Sequence, residues 1–352
     1  MAKYFQNIPL QPENLRSLRD ALIKEVLEDE NLRQVVTIKK VRSGEPLAVL
    51  GEMDAVGHAG AGCNPTFDEI GIGNTVKRWA LKAWEIALSI CYTNLEDTIA
   101  EYCIKSGTEI GDLSGTDFMA IYLDLLATQM RRMVWRFAWF GDTAAQTITD
   151  GGVITNGTDI TLMTANDGLF KKLFAIGAAN ASQVTAIAAN SQTTYAAQKS
   201  AIRTAGTATT LIDTILMDAN PMINANGEAA LIMNKGLADA LALDIKKTYK
   251  DIMPWEKIFD GVFVSSYGGV KVISVATWDY MVNTYENTGT KWNKPYRVVF
   301  ANPKNLLVGC DAADPISDLD IWFNKDERTN KIYATGKLDT MVGLDDHVHL
   351  AY

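Results

Sequence analysis

One stretch limits what this chain can become more than any other, the residues from Thr116 to Phe140. Phe118, Ile121, Tyr122, Leu125, Leu126, Met130, Met133, Val134 and Phe137 fall on one broad stripe at helical spacing. Thr116 or Asp117 supplies an N-cap, and Gly141 marks the stop. At 1.5 Å per residue this helix is a rod about 36 Å long. Arg131, Arg132 and Arg136 lie toward its C-terminal end, where the helix dipole favours cations. A solvated or salt-bridged helix end is expected there, with a basic nucleic-acid contact as the alternative.

The rod sits in a chain of 352 residues, long enough for one composite fold or two interlocked subdomains. With 47% hydrophobic and 21% charged residues there is ample material for a core. Lys+Arg number 33 against 42 Asp+Glu, a net charge of -9. That balance lacks the clustered cations that sequence-independent phosphate binding needs. Cys63, Cys91, Cys103 and Cys310 form no CxxC pair, and His58, His347 and His349 add no Cys/His cluster. Structural zinc is not expected, and the thiols read as reduced. Met1 to Leu10 lacks the pattern of a signal peptide, and no run of 18 uncharged apolar residues occurs.

Ahead of the rod, Pro12 to Asn31 carries Leu15, Leu18, Leu22, Ile23, Val26 and Leu27 at helical spacing, an amphipathic helix in need of a partner surface. Val35 to Val41 reads as a strand, Arg42-Ser43-Gly44 as a turn, and Glu45 to Met53 as the return strand of a hairpin. Gly57 to Gly73 is a glycine-rich loop without the GK[ST] of a phosphate-cradling loop. Val76 to Tyr92 reads as a long strand with Trp79, Leu81, Ala83, Glu85, Ala87 and Ser89 on one face. Lys82, Trp84, Ile86, Leu88 and Ile90 take the other. Asn94 caps a short helix over Leu95 to Lys105, and Gly107 to Gly115 is a loop.

Beyond the rod, Ala175 to Thr210 is rich in Ala and Thr, with Lys199 and Arg203 its only charges. It reads as short helices of small side chains. Helices are expected at Leu211–Met217 and Lys235–Tyr249. Strands are expected at Gly227–Met233, Val262–Ser265, Gly269–Val275, Tyr296–Ala301, Asp318–Phe323, Lys331–Leu338 and Asp346–Ala351. The order is mixed α+β without a βαβ rhythm.

Candidate chemistry is sparse. His347 and His349, two apart on a strand, would point to one face and form a two-point metal grip with Asp345 as third ligand. Exposed positions on a terminal strand explain the same spacing. Asp311, Asp314, Asp318 and Asp320 are spaced like oxygen ligands for Ca²⁺, but Pro315 interrupts them and a solvated turn fits better. Asp326 and Glu327 are adjacent, hence on opposite sides of a strand, and cannot act as a catalytic carboxylate pair. No catalytic residue, cofactor site or metal site is therefore assigned, and the chain is not expected to be an enzyme.

The segment from Tyr296 onward resembles the C-terminal part of major capsid proteins of the Hong Kong 97 type, particularly those of phages infecting gut Bacteroidetes. The residues that carry it are Asn302-Pro303-Lys304-Asn305-Leu306-Leu307-Val308-Gly309, read as a loop, then Asp318 to Phe323 and Asp326-Glu327-Arg328. The order of elements is similar too.

The resemblance implies an N-terminal arm over 1–33 and an extended loop hairpin with return strand over 34–94. It further implies a peripheral domain with a long spine helix over 95–149, an axial domain over 150–301 and peripheral β-strands over 302–352. It implies a shell subunit forming pentamers and hexamers around packaged double-stranded DNA, in the virion, assembled in host cytoplasm without a membrane. With so short a segment before the first strand, a separate scaffolding protein, or none, is expected beside portal and head-decoration proteins. An encapsulin-like nanocompartment shell is the alternative within the fold. An enzyme with a metal site at His347 and His349 is the alternative outside it.

Overall fold

The computed structural model describes residues 32, 35–53, 72–91, 117–144, 160–248, 250, 252–259, 262–312, 318–327 and 329–352. Strands β1 (Thr37–Lys40), β2 (Pro46–Met53), β3 (Ile72–Arg78) and β4 (Lys82–Cys91) come first, followed by the long helix α1 (Asp117–Phe140). Then come α2 (Leu169–Ala179), β5 (Val184–Thr185), α3 (Tyr195–Ile202), α4 (Thr207–Asp218), β6 (Ala230–Asn234) and α5 (Lys235–Thr248). Strands β7 (Glu256–Phe259), β8 (Val262–Tyr267) and β9 (Val270–Val275) lead through α6 (Ala276–Tyr285) to β10 (Val298–Ala301). Last are β11 (Leu306–Cys310), β12 (Asp318–Asn324), β13 (Thr329–Val342) and β14 (Val348–Ala351). The class is α+β, as the element order implied.

The larger sheet has seven strands in the order β5-β14-β10-β6-β9-β8-β7. Every residue of β6, β10 and β14 is buried, because helices cover both faces. Alternation splits β6 between two cores. Ala230 and Ile232 face one that contains Trp139, Phe170 and Trp278. Leu231 and Met233 face another built with Ile212 and Ile215 of α4 and Leu237 and Leu241 of α5.

The smaller sheet has five strands, built around the fourteen residues of β13. Leu338 is paired with Lys82 of β4 and with Cys310 of β11, so these neighbours lie on opposite sides. β12 pairs with Thr329 to Thr335 on the side away from β4, which sets β11 and β12 end to end along one edge. β1 adds in parallel outside β11. Trp84 and Ile90 of β4 turn inward with Ile332, Ala334 and Leu338, onto Leu126, Met130, Met133 and Phe137 of α1. Trp84 and Phe137 rings stand 6.2 Å apart.

Two short segments carry the chain between the sheets. Residues 302–305 join β10 to β11, and residues 343–347 join β13 to β14. β10 is antiparallel to β14, and β11 to β13, so one antiparallel strand pair runs through both sheets with a break at the crossing. Asn305 stitches that break. Its amide donates to Leu344 O at 2.9 Å and its carbonyl accepts from Leu344 N at 2.6 Å. Gly343 N donates to Asn305 O at 2.9 Å. A Cβ on Gly343 would stand 2.7 Å from Asn305 Oδ1, so only glycine lets the two segments approach this closely.

Several expectations need correction. β1 and β2 do not pair with each other. β1 joins β11, and β2 pairs with β3 in a separate two-stranded ribbon. The reason lies at the turn, where Gly44 N donates to Trp79 O at 2.7 Å and Trp79 N to Glu45 O at 3.1 Å, so Glu45 starts a ladder with β3 instead. The long strand over Val76 to Tyr92 is broken at Trp79-Ala80-Leu81. The faces assigned within β4 hold, but Trp79 is buried instead of sharing the exposed face of Ala83, Glu85, Ala87 and Ser89. Asn305 to Gly309, expected to be loop, is mostly the buried strand β11. Helix α6 and strand β7 were not anticipated. The α6 sequence Ala-Thr-Trp-Asp-Tyr-Met-Val-Asn-Thr-Tyr is poor in strong helix formers, and burial of Trp278, Met281 and Val282 overrides that preference. The segment 302–352 is shared between sheets, since β14 belongs to the larger one, and β1 and β4 of the segment 34–94 belong to the smaller. The helices expected at Pro12–Asn31 and Leu95–Lys105, the loop at Gly107–Gly115 and most of the glycine-rich loop lie outside the described residues.

The C-terminal end of α1 is locked to α2 and α6 by aromatic packing. Trp139 meets Trp278 edge-on at 4.6 Å, and Phe170 meets Phe140 at 5.0 Å and Trp278 at 4.7 Å. Arg297, just before β10, lies among these rings, 4.8 Å from Phe170 and 5.4 Å from Phe140, and its Nη2 donates to Glu286. Both partners are buried, and burial pushes the Glu286 carboxyl up to about 7 against the pull of Arg297. The folded form therefore holds this proton more tightly than the unfolded chain. Its contribution to stability is largest below about 4.5 and declines as pH rises through 7. Arg297→Ala is expected to cost about 3–5 kcal/mol by stranding the carboxylate. Denaturant unfolding should show that deficit shrinking between pH 8 and pH 5, as Glu286 takes up a proton.

Candidate assembly interface

A two-stranded sheet is marginal in water on its own, so the β2–β3 ribbon raises the question of what supports it. Pro46 pairs with Arg78, Leu47 with Lys77 and Leu50 with Asn74, and a bulge precedes the Met53–Ile72 pair. Among the described residues no other strand joins it. Its outward Val76 is 52% exposed.

The ribbon's root, by contrast, is heavily tied to the smaller sheet. Trp79 is buried with Val41, Leu307 and Met341 in a small core of its own. Gly309 makes room for it, since a Cβ there would stand 2.6 Å from Trp79 Cζ3 and 2.7 Å from Val41 Cγ2. Ala80 N donates to Asp339 Oδ2 at 2.8 Å, and Lys172 of α2 reaches the other oxygen at 2.9 Å. Lys77 Nζ donates to Val342 O at 2.7 Å and to Asp345 Oδ1 at 2.6 Å. Arg78 Nη1 donates to Gly44 O at 3.2 Å. A firmly rooted ribbon that no other described strand joins is suited to reach a neighbouring surface.

The residues considered for chemistry do not converge. His347 lies in a 3-10 turn and only His349 is on β14, so the two do not share a strand face. His349 is buried, with Nε2 2.8 Å from Thr185 Oγ1, and burial lowers its pKa. Asp345 is engaged by Lys77. Among the described residues no three His, Cys, Asp or Glu side chains gather as metal ligands would. Asp311 is 3.8 Å from Lys337 Nζ, Asp318 and Asp320 lie on β12, and Asp314 is outside the described residues. Asp326 and Glu327 sit in the turn after β12, not on a strand, and Glu327 pairs with Lys331 at 2.5 Å. The guanidinium of Arg132 lies 5.5 Å over the Tyr280 ring, a contact inside the subunit. Asn305 and Gly309, which hold the crossing and the ribbon root, were noticed in the sequence only as parts of a motif. Their spacing from Gly343 and Trp79 carried no signal of contact.

Replacing Gly309 by Ala is expected to lower stability by about 1–3 kcal/mol, through overpacking against Trp79. Chemical denaturation followed by tryptophan fluorescence measures it.

No family model matches the sequence. No curated protein matches it either. Solved structures do resemble it. A chain of the satellite phage P4 procapsid superimposes with a TM-score of 0.50 at 10% identity, over 97% of this chain and 98% of that one. A chain from Gordonia phage Cozz gives a TM-score of 0.50 at 13% identity, over 91% and 85%. A looser match, TM-score 0.44 at 9% identity over 92% and 87%, is with the holo-SrpI encapsulin complex from Synechococcus elongatus. With a spine helix on a β13-centred sheet, a second sheet buried on both faces and a rooted ribbon, this chain has the Hong Kong 97-like fold of phage capsid proteins.

Proposed function

We propose that this chain is the structural subunit of an icosahedral phage head, many copies of which close around double-stranded DNA. The observation that carries the reading is the β2–β3 ribbon, rooted by Trp79, Asp339 and Lys77 and without another strand beside it among the described residues. A neighbouring copy supplies what one subunit leaves open. Specific interfaces bury about 1,600 Å², and closed symmetry multiplies each modest contact. The net charge of -9 suits an inner surface that encloses DNA without gripping it.

In this reading the copies form pentamers and hexamers of a virion shell, assembled in the host cytoplasm without a membrane. The role is structural and not catalytic. A separate scaffolding protein, a portal and head-decoration proteins are the remaining partners. The segment from Asn302 to Asp311 further supports kinship with shells of phages that infect gut Bacteroidetes.

Electron microscopy of the purified chain is expected to show closed shells or capsomers. A strictly monomeric particle under all conditions would sink the proposal. Replacing residues 48–76 by a short Gly-Ser turn keeps the root and should leave a folded subunit that no longer closes shells. Shells isolated from the native source should contain DNA; protein cargo in its place would favour a nanocompartment.

A further inference from the structure

The ribbon and the crossing between the sheets meet at one side chain. Lys77, on β3, spans from the ribbon to the place where the chain leaves the smaller sheet. Its ammonium donates to the carbonyl of Val342, the last residue of β13, and to the carboxylate of Asp345 inside the crossing. Asp345 is held from the other side as well. Gln183, ahead of β5, donates through Nε2 to Asp345 O at 2.7 Å and to Val348 O at 3.1 Å. Asn220 Nδ2 reaches Asp346 O at 3.4 Å. The crossing is therefore gripped by the ribbon on one side and by the body of the larger sheet on the other.

We propose that Lys77 is a positioning residue that couples the direction of the ribbon to the angle between the two sheets. The crossing has few ways to bend, because Asn305 and Gly343 bind its two segments together. A rotation of one sheet against the other must be absorbed there, and it displaces Asp345 relative to Val342. Lys77 contacts both, so the displacement reaches β3 directly. The lower tie does not follow, because Trp79 packs on Gly309, Val41, Leu307 and Met341, next to or within the smaller sheet. One end of the ribbon root is thus fixed to one sheet while Lys77 follows the crossing. A lever results, with Trp79 as its pivot. The inference concerns the fold of a single subunit and stands whether or not subunits close into shells.

Hydrogen exchange of the full-length chain, read by mass spectrometry, tests it. Lys77→Met should speed amide exchange of residues 46–53 and 72–78 by about fivefold, and Lys77→Arg should restore most of the protection. The decisive variant is Asn305→Ala, whose lost side-chain hydrogen bonds lie within the crossing alone. It should speed exchange at 343–347 and also in the ribbon, and the ribbon effect should vanish when combined with Lys77→Met. Gly343→Ala serves the same purpose if Asn305→Ala fails to fold. A crossing that loosens while the ribbon exchanges at the wild-type rate overturns the coupling, as does a Lys77→Met ribbon with unchanged exchange.

Discussion

The structure depends on one antiparallel pairing that passes from sheet to sheet. β10 with β14 and β11 with β13 form a single ladder, broken only where Asn305 clasps Leu344. The clasp joins the two sheets beside their two covalent tethers and the bonds that Lys77 and Gln183 make to the crossing. With it, their relative angle is defined by hydrogen bonds under 3 Å long. The aromatic packing of Trp139, Phe140 and Phe170 against Trp278 and Arg297 then closes the opposite approach, from the end of α1. A rod and a ladder thus hold the two halves as one body, a composite in keeping with the chain's length.

Against that rigidity stands the ribbon. Its root is packed and hydrogen-bonded like a core, yet among the described residues no further strand joins β2 and β3. An edge of this kind is a liability in a solitary protein, since it offers unpaired backbone to any passing chain. In an assembling protein the same exposure is the means of recognition. Trp79 and Gly309 hold the root, while the strands beyond it are held by their mutual ladder.

The long helices α1 and α5 were the most legible elements of the sequence. The bounds of α1 follow from its stripe and the glycine after it, and α5 follows from its own periodicity. The inward face of β4 was also readable, because alternation of Trp84, Ile86, Leu88 and Ile90 is a local property. Pairing was not. Arg42-Ser43-Gly44 reads as a hairpin turn in isolation, and only Trp79, far along the chain, redirects Glu45 to β3. β11 read as loop because the resemblance placed a loop there. Its strand character comes from β1, β13 and the Trp79 ring that Gly309 admits. The candidate interface was legible as a hairpin but misplaced by one strand, and its fastening by Lys77 and Asp339 had no signature in spacing.

The position of β14 has a consequence for the order of events during synthesis. It lies between β5 and β10 within the larger sheet, and Thr185 meets His349 across a separation of 164 residues. Among the described strands β5 pairs with β14 alone, so its ladder waits for residues 348–351. Long-range closure of this sort is slow relative to local helix formation. A nascent chain can make its rod early, yet it completes the ribbon's root and the larger sheet only after residues 307–351 have been made. Timing is thereby written into topology: the larger sheet closes only when β14 has been made.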